Sequence, residues 1–197
     1  LAKSIVHKIV APAFGLEDPV RVVCRENRST KDFMGELAVH EIDIILADAP
    51  AGPGTSVKAF SHLLGECGLS FFAAPALAKA HRRSFPASLS GAPFLLPGSD
   101  STLRRSLNEW FDAQDIRPKI VAELDDAALA AIFGEAGLGI FVAPDVIDKE
   151  IMQRYQVQVV GRVARIKQRF YAISVERKIK HPAVIAICER ARKHIFS

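Results

Sequence analysis

The stretch RPKIVAELDDAALAAIFGEAGLGIFVAP (117–144) decides the fold class. It reads as strand, helix, strand. Residues Pro118 to Glu123 include the β-branched pair Ile120 and Val121, the composition of a short strand. Asp125 and Asp126 then offer carboxylate oxygens to the free N–H groups of a new helix. Leu129, Ile132, Phe133 and Ala136 recur at helical spacing and predict that helix's inner face. Gly137 and Gly139 end it, since glycine reverses the chain without steric cost. Leu138 to Val142 is an unbroken apolar run, the pattern of a strand covered on both faces.

A similar unit lies earlier, at PVRVVCRENRSTKDFMGELAVHEIDIILADAP (19–50). Pro19 to Cys24 is the predicted strand. Ser29 or Thr30 caps a helix over 29–40 with Phe33, Met34, Leu37 and Ala38 inward. Ile42 to Ala47 is the second strand, closed by Pro50 as Pro144 closes the other. The repeat is loose, with Gly35-Glu36 and Gly134-Glu135 at like places. It predicts two similar α/β halves, and a cleft between two such halves is a natural ligand site.

The remaining chain extends this alternation. Leu1 to Phe14 is a predicted helix with Leu1, Ile5, Val6, Ile9 and Val10 on one face. Val57 to Leu64 reads as a strand leading into the turn GECG (65–68), after which Leu69 to Ala73 is apolar and extended. Pro75 opens a short helix, and 79–92 reads as a surface excursion. Phe94 to Leu96 resumes the sheet. Helix 101–113 carries Leu103, Leu107, Trp110 and Phe111 on one side. Val146 to Met152 is a short helix, and 157–160 and 170–175 are strands. Pro182 starts the last helix, with Val184, Ile187, Cys188, Ala191 and Ile195 inward. Strand and helix in alternation predict mostly parallel sheets with helices on both faces.

Bulk properties set limits. The 197 residues are 49% hydrophobic, enough for one α/β domain or two small lobes. No run is long and apolar enough to span a membrane. The chain starts at Leu1 without a secretory signal, which reads as a fragment of a longer protein or a processed mature chain. A net charge of +4 is mild, and the basic clusters ERKIKHP (176–182) and ERARKH (189–194) read as a solvated face. Cys24, Cys67 and Cys188 are widely spaced and odd in number, which predicts reduced thiols in a cytoplasmic protein.

No catalytic signature occurs. There is no Walker lysine, no complete dinucleotide loop and no nucleophile elbow. His7, His40, His62, His81, His181 and His194 do not pair at metal-ligand spacing. The sequence predicts no enzyme and no cofactor, and leaves metal ligands undetermined. Cys67, flanked by glycines, is either a reactive thiol or a small residue tolerated at a crossover.

Ligands of such sheets bind beyond the carboxyl ends of strands. That rule selects Gly98-Ser99-Asp100-Ser101, Asn27-Arg28-Ser29-Thr30 and Leu124-Asp125-Asp126, each at a helix start. Backbone N–H groups at such starts hold small anions. Ser4 joins the set if the first helix begins near it. These residues equally serve to cap their own helices. Asp48 follows a strand directly and has no helix to cap.

Three stretches carry a family resemblance: ELAVHEIDIILADAP (36–50), SLSGAPFLLPGSDSTLRRSLNEWF (88–111) and GLGIFVAP (137–144). They resemble the effector-binding domain of LysR-type transcriptional regulators, and the resemblance covers essentially the whole chain. KAFSHLLGECGLSFFAAPALA (58–78) and RFYAISVERKIKHPAV (169–184) are similar to the branch that activates transcription of a sodium/proton antiporter gene.

The resemblance implies an α/β fold of the type 2 periplasmic-binding-protein kind, two Rossmann-like lobes with two crossovers. Lobe I would comprise about 1–64 plus 164–197 and lobe II about 65–163. A winged helix-turn-helix DNA-binding domain would precede Leu1. The domain would form a homodimer or tetramer, with helix 1–13 and strand 19–24 against helix 101–113 and strand 117–123 of the partner. Ser4, Ser29, Ser99, Ser101 and Asp125 would face the effector. The branch implies sodium or lithium as the signal. A hard cation wants several oxygens, so Asp48, Asp100, Asp125 or Asp126 would have to outweigh the helix dipoles. A small anion stays open as the effector. The competing function is a periplasmic solute-binding protein for a small anion.

Overall fold

A computed structural model describes residues 1–26, 30–52 and 57–196. The chain divides into two compact units, one of Lys3–Glu66 with Arg169–Ser197, the other of Cys67–Gln168.

In unit 1, helix α1 (Lys3–Val10) runs into a 3-10 turn, Ala11–Gly15. Helix α2 (Thr30–Ala38) and strand β1 (Ile45–Ala47) follow. Strand β2 (Phe60–Ala73) begins in unit 1 and ends in unit 2, and strand β6 (Gln158–Ser174) makes the return passage. Helix α7 (Pro182–Arg190) closes the unit and widens into a π-helical turn, Ala191–Ile195. β1 pairs antiparallel with the end of β6, Ile45 opposite Ile173 and Ala47 opposite Tyr171. Met34 and Leu37, three apart on α2, pack on Ile45, Ala47 and Ile173. α1 buries Ile5, Ile9 and Val10 and packs against α7.

In unit 2 the order is α3 (Pro75–Arg82), β3 (Pro93–Pro97), α4 (Thr102–Ala113), β4 (Lys119–Leu124), α5 (Ala127–Glu135), β5 (Phe141–Pro144) and α6 (Asp148–Tyr155). β3 and β4 run parallel, and Phe94 forms a parallel bridge to Ile140. β5 lies antiparallel to β2, Leu69 opposite Pro144 and Phe72 opposite Phe141. The core is aromatic. Phe94 meets Phe71 edge-on at 5.9 Å and Phe111 at 5.4 Å, both T-shaped, and Leu107 and Ile140 fill the gaps.

Several expectations are corrected. Residues 19–24 form no strand: they pair with no ladder among the described residues, and Val23 stays 64% exposed. A strand without a partner leaves its N–H and C=O groups to water. GECG (65–68) is no turn but mid-strand in β2, so the predicted strands 57–64, from Phe60 on, and 69–73 fuse into one element; likewise 158–160 and 170–174 are both parts of β6. The sheets are not mostly parallel, because strands that leave one unit and return to it meet β1 and β5 head to tail. The excursion 79–92 is partly core: Leu89 is buried and Phe85 packs on Phe71 at 5.4 Å.

The clearest reversal is on α5. Its predicted inner residues Leu129 and Ile132 face outward, and Ala130, Ala131 and Gly134 are buried. The Phe141 ring occupies the space a Cβ on Gly134 would need. The helix approaches β5 so closely that only small residues fit beneath it. Steric room, not hydrophobicity, selected the buried face.

Candidate functional site

β3 and β4 end side by side. Pro97 lies opposite Leu124, and the Gly98 N–H donates to the Leu124 carbonyl at 3.2 Å. Parallel strands deliver their carboxyl ends to one edge. Two loops therefore meet there, Gly98-Ser99-Asp100-Ser101 and Asp125-Asp126, at the starts of α4 and α5.

Ser101 caps α4. Its hydroxyl accepts from the Arg104 N–H at 3.1 Å and donates to the Gly98 carbonyl at 3.0 Å. Asp126 caps α5, its Oδ1 accepting from the Ala128 N–H at 2.7 Å. These two side chains hold the loops in place. Ser99 and Asp100 are exposed, the Ser99 hydroxyl donating to Asp100 Oδ1 at 3.3 Å. Asp125 is also exposed, and its Oδ1 occupies the space beside the Gly98 Cα where a side chain would begin. The structure thus gathers Ser99, Asp100, Ser101, Asp125 and Asp126 at one edge of unit 2.

Arg104 is the residue that sequence reasoning missed. Its Nη1 donates to the Pro97 carbonyl at 3.0 Å, its Nη2 to Glu123 Oε1 at 2.9 Å and its Nε to Asn108 Oδ1 at 3.2 Å. One guanidinium thereby ties α4 to the ends of both strands. The hydrogen bond from Arg104, and then its charge, hold the Glu123 carboxyl below the usual glutamate range. The available signal was an arginine in a first helical turn, where the dipole disfavours a cation.

Ser4 lies in the first turn of α1, which does begin at Lys3, and is half-buried. Asp48 directly follows β1 and is half-buried. Both belong to unit 1. Ser29 falls outside the described residues. Among the described residues, no three or more His, Cys, Asp or Glu side chains converge to hold a metal ion. The edge therefore offers single carboxylates, hydroxyls and helix-start N–H groups, a set suited to a small polar or charged molecule. A separate groove of about 270 Å³ opens between α4 and β6, lined by Glu109, Trp110, Arg165, Ile166 and Lys167 among others. It contains none of the predicted site residues.

Cys67 is buried in mid-strand. Burial first, then the Asp145 carboxylate, push its thiol up to about 12, and the backbone N–H groups of Val146 and Asp145 offset only part of that. A thiol so held stays protonated at neutral pH, and the reactive reading falls away. Cys188 is buried and raised by the same desolvation, and Cys24 is exposed.

The model of one protein family, the LysR substrate binding domain, matches residues 15–195. The chain belongs to this family. The transcriptional activator protein NhaR of Escherichia coli (strain K12) and that of Shigella flexneri are each 35% identical to it over 198 residues, all of this chain and 64% of theirs. The chain thus spans just under two thirds of the length of these relatives. Among solved structures, the effector binding domain of QuiR in complex with shikimate superposes with a TM-score of 0.69 at 17% identity, covering 98% of this chain and 91% of that one. DarR of Vibrio fischeri, solved in complex with DNA, superposes at 0.70 and 18% identity, covering 98% of this chain and 65% of that one. At these identities the likeness shows the fold. It is the periplasmic-binding-protein-like α/β fold of LysR effector-binding domains. Among the described residues no helix is long and apolar enough to cross a membrane.

Proposed function

We propose that the chain is the ligand-sensing part of a LysR-type transcriptional activator and that sodium or lithium is its signal. The observation that carries the activator reading is the 35% identity to NhaR along the entire chain. On this reading a winged helix-turn-helix domain, N-terminal to the sensing domain in the whole protein, contacts DNA. The assembly is a cytoplasmic homodimer or tetramer. The sensing domain transforms nothing: effector binding biases a conformational equilibrium to the extent that affinities for the two states differ. A periplasmic solute-binding role is the less favoured reading, because the family match and the relatives are transcriptional regulators.

The proposed effector edge is that of Gly98–Ser101 and Asp125–Asp126. A hard cation needs several oxygens at once. Asp125 and Asp100 supply carboxylates, and the helix starts beside them oppose the cation. Those same starts, with Ser99 and Ser101, favour a small anion as the second reading.

Calorimetric titration decides between them. Sodium chloride and lithium chloride are titrated into the chain at constant ionic strength set with choline chloride, and small carboxylates are titrated separately. Saturable heat with sodium or lithium, lost in Asp125→Ala, supports the cation. Saturable heat with a carboxylate alone moves the effector to the anion class. In the whole protein, Asp125→Ala combined with Asp48→Ala weakens a sodium-dependent reporter response. An unchanged response rejects these two ligands.

A further inference from the structure

One ring covers both connecting strands where they leave unit 1. Phe196 follows the π-helical turn Ala191–Ile195, and its N–H donates to the Ala191 carbonyl at 3.3 Å, the five-residue spacing of a π turn. The Phe196 side chain lies on Gly65 of β2, where any Cβ would overlap its Cβ and Cγ. The same ring stacks on Phe170 of β6, centroids 5.0 Å apart and planes 17° from parallel. Arg192 adds a second tie to β2, its Nε donating to the Leu63 carbonyl at 3.0 Å. Gly65 and Phe170 each stand one residue inside the unit boundary, next to Glu66 and Arg169.

At the boundary β2 and β6, neighbours in one sheet, add an exposed side-chain pair to their backbone pairing. Glu66 and Arg169 form an ion pair at 3.1 Å with both side chains well exposed, and water screens such a pair. Gln168 Oε1 is buried without a hydrogen-bond partner, which leaves its desolvation uncompensated. Tight aromatic packing on one side and an under-satisfied step on the other is the arrangement of a clamp beside a hinge.

We propose that Phe196 is that clamp: it fixes the unit-1 ends of β2 and β6 against each other and confines bending to Glu66–Cys67 and Gln168–Arg169. The purpose of the clamp rests on the sensor reading above, since a sensor needs a defined flexure; its geometry does not. The π turn has a reason on this account. One extra residue in the last wind sets Phe196 at the height of Gly65.

A double-substitution cycle on the chain tests it. Gly65→Ala alone must push Phe196 away, Cβ and ring together, and lowers Tm by roughly 4–10 °C. In a Phe196→Gly background the same change costs clearly less Tm, because both the Cβ and the ring that the added methyl would meet are gone. In hydrogen exchange, Phe196→Ala raises rates for 60–65 and 170–174 by about tenfold or more and leaves α4 amides unchanged. Phe196→Leu, which keeps apolar cover, gives an intermediate rise and serves if the alanine variant does not fold. An equal Tm loss from Gly65→Ala in both backgrounds overturns the proposal, as does unchanged exchange at 60–65. A ligand titration that fails leaves this cycle untouched, and an additive cycle leaves the titration untouched, so the two readings fall separately.

Discussion

The Asp125 carboxylate rests against the Cα of Gly98, each from a different strand end of unit 2. The contact joins two loops that are 27 residues apart in the chain. It also makes Gly98 the position at which the candidate edge is most easily altered without touching a charged residue.

Gly98→Ala forces Asp125 to another rotamer. Asp125 is exposed and its carboxylate is the end of a rotatable side chain, so the expected stability loss is small, about 1 kcal/mol. The effector response, if this edge carries it, falls well beyond that loss. Parallel urea unfolding and calorimetric titration of the variant check both parts. A loss of several kcal/mol shows Asp125 to be locked in place instead.

Arg104→Met cuts three hydrogen bonds, and its mark is on the pH dependence. Glu123's folded pKa lies below its unfolded one. Its contribution is therefore present above the ordinary glutamate value and lost as pH falls through the depressed one. In Arg104→Met the Glu123 titration followed by NMR moves up toward the ordinary value, and the acid limb of the stability curve flattens. An unmoved Glu123 titration contradicts the assignment.

The reversed face of α5 predicts an ordering that hydrophobicity would not. Ile132→Gln, at an exposed site, changes stability by about 0.5 kcal/mol or less. Gly134→Ala drives a methyl into the Phe141 ring and costs about 1–3 kcal/mol. Denaturant midpoints of the two variants, measured side by side, give the order directly.

The cysteines separate by accessibility. At pH 7.5 a maleimide labels Cys24 and spares Cys67 and Cys188 until denaturant is added. The Cys67 thiol, raised from the ordinary 9.0 to about 12, gives stability that is whole below pH 9 and drains away as pH climbs toward 12. Cys67→Ala therefore shows a shallower alkaline decline in stability than the parent chain. Fast labelling of native Cys67 contradicts its burial.

Local patterns announced most elements. Helices α1, α2, α4 and α7 were legible because large apolar side chains recur on the face that meets the core. The capping loops were legible because Ser101 and Asp126 have the side chains a helix start requires, and both do cap. The same chemistry keeps a capping role and a binding role indistinguishable in the sequence, since a capping oxygen and a binding oxygen are the same residue type.

By itself the sequence determined where helices and most strands form, which loops carry the candidate polar residues, and which family the chain resembles, because propensity, capping and periodicity act over a few residues. Only the tertiary structure decided that GECG is strand and not turn, that α5 buries its alanines and not its leucine, and that Arg104 ties α4 to two strand ends. Each depends on how closely another part of the chain approaches. GECG belongs to a strand because β2 runs between β6 and β5 as their hydrogen-bonded neighbour, and α5 turns its small face inward because the Phe141 ring leaves no room for a larger one.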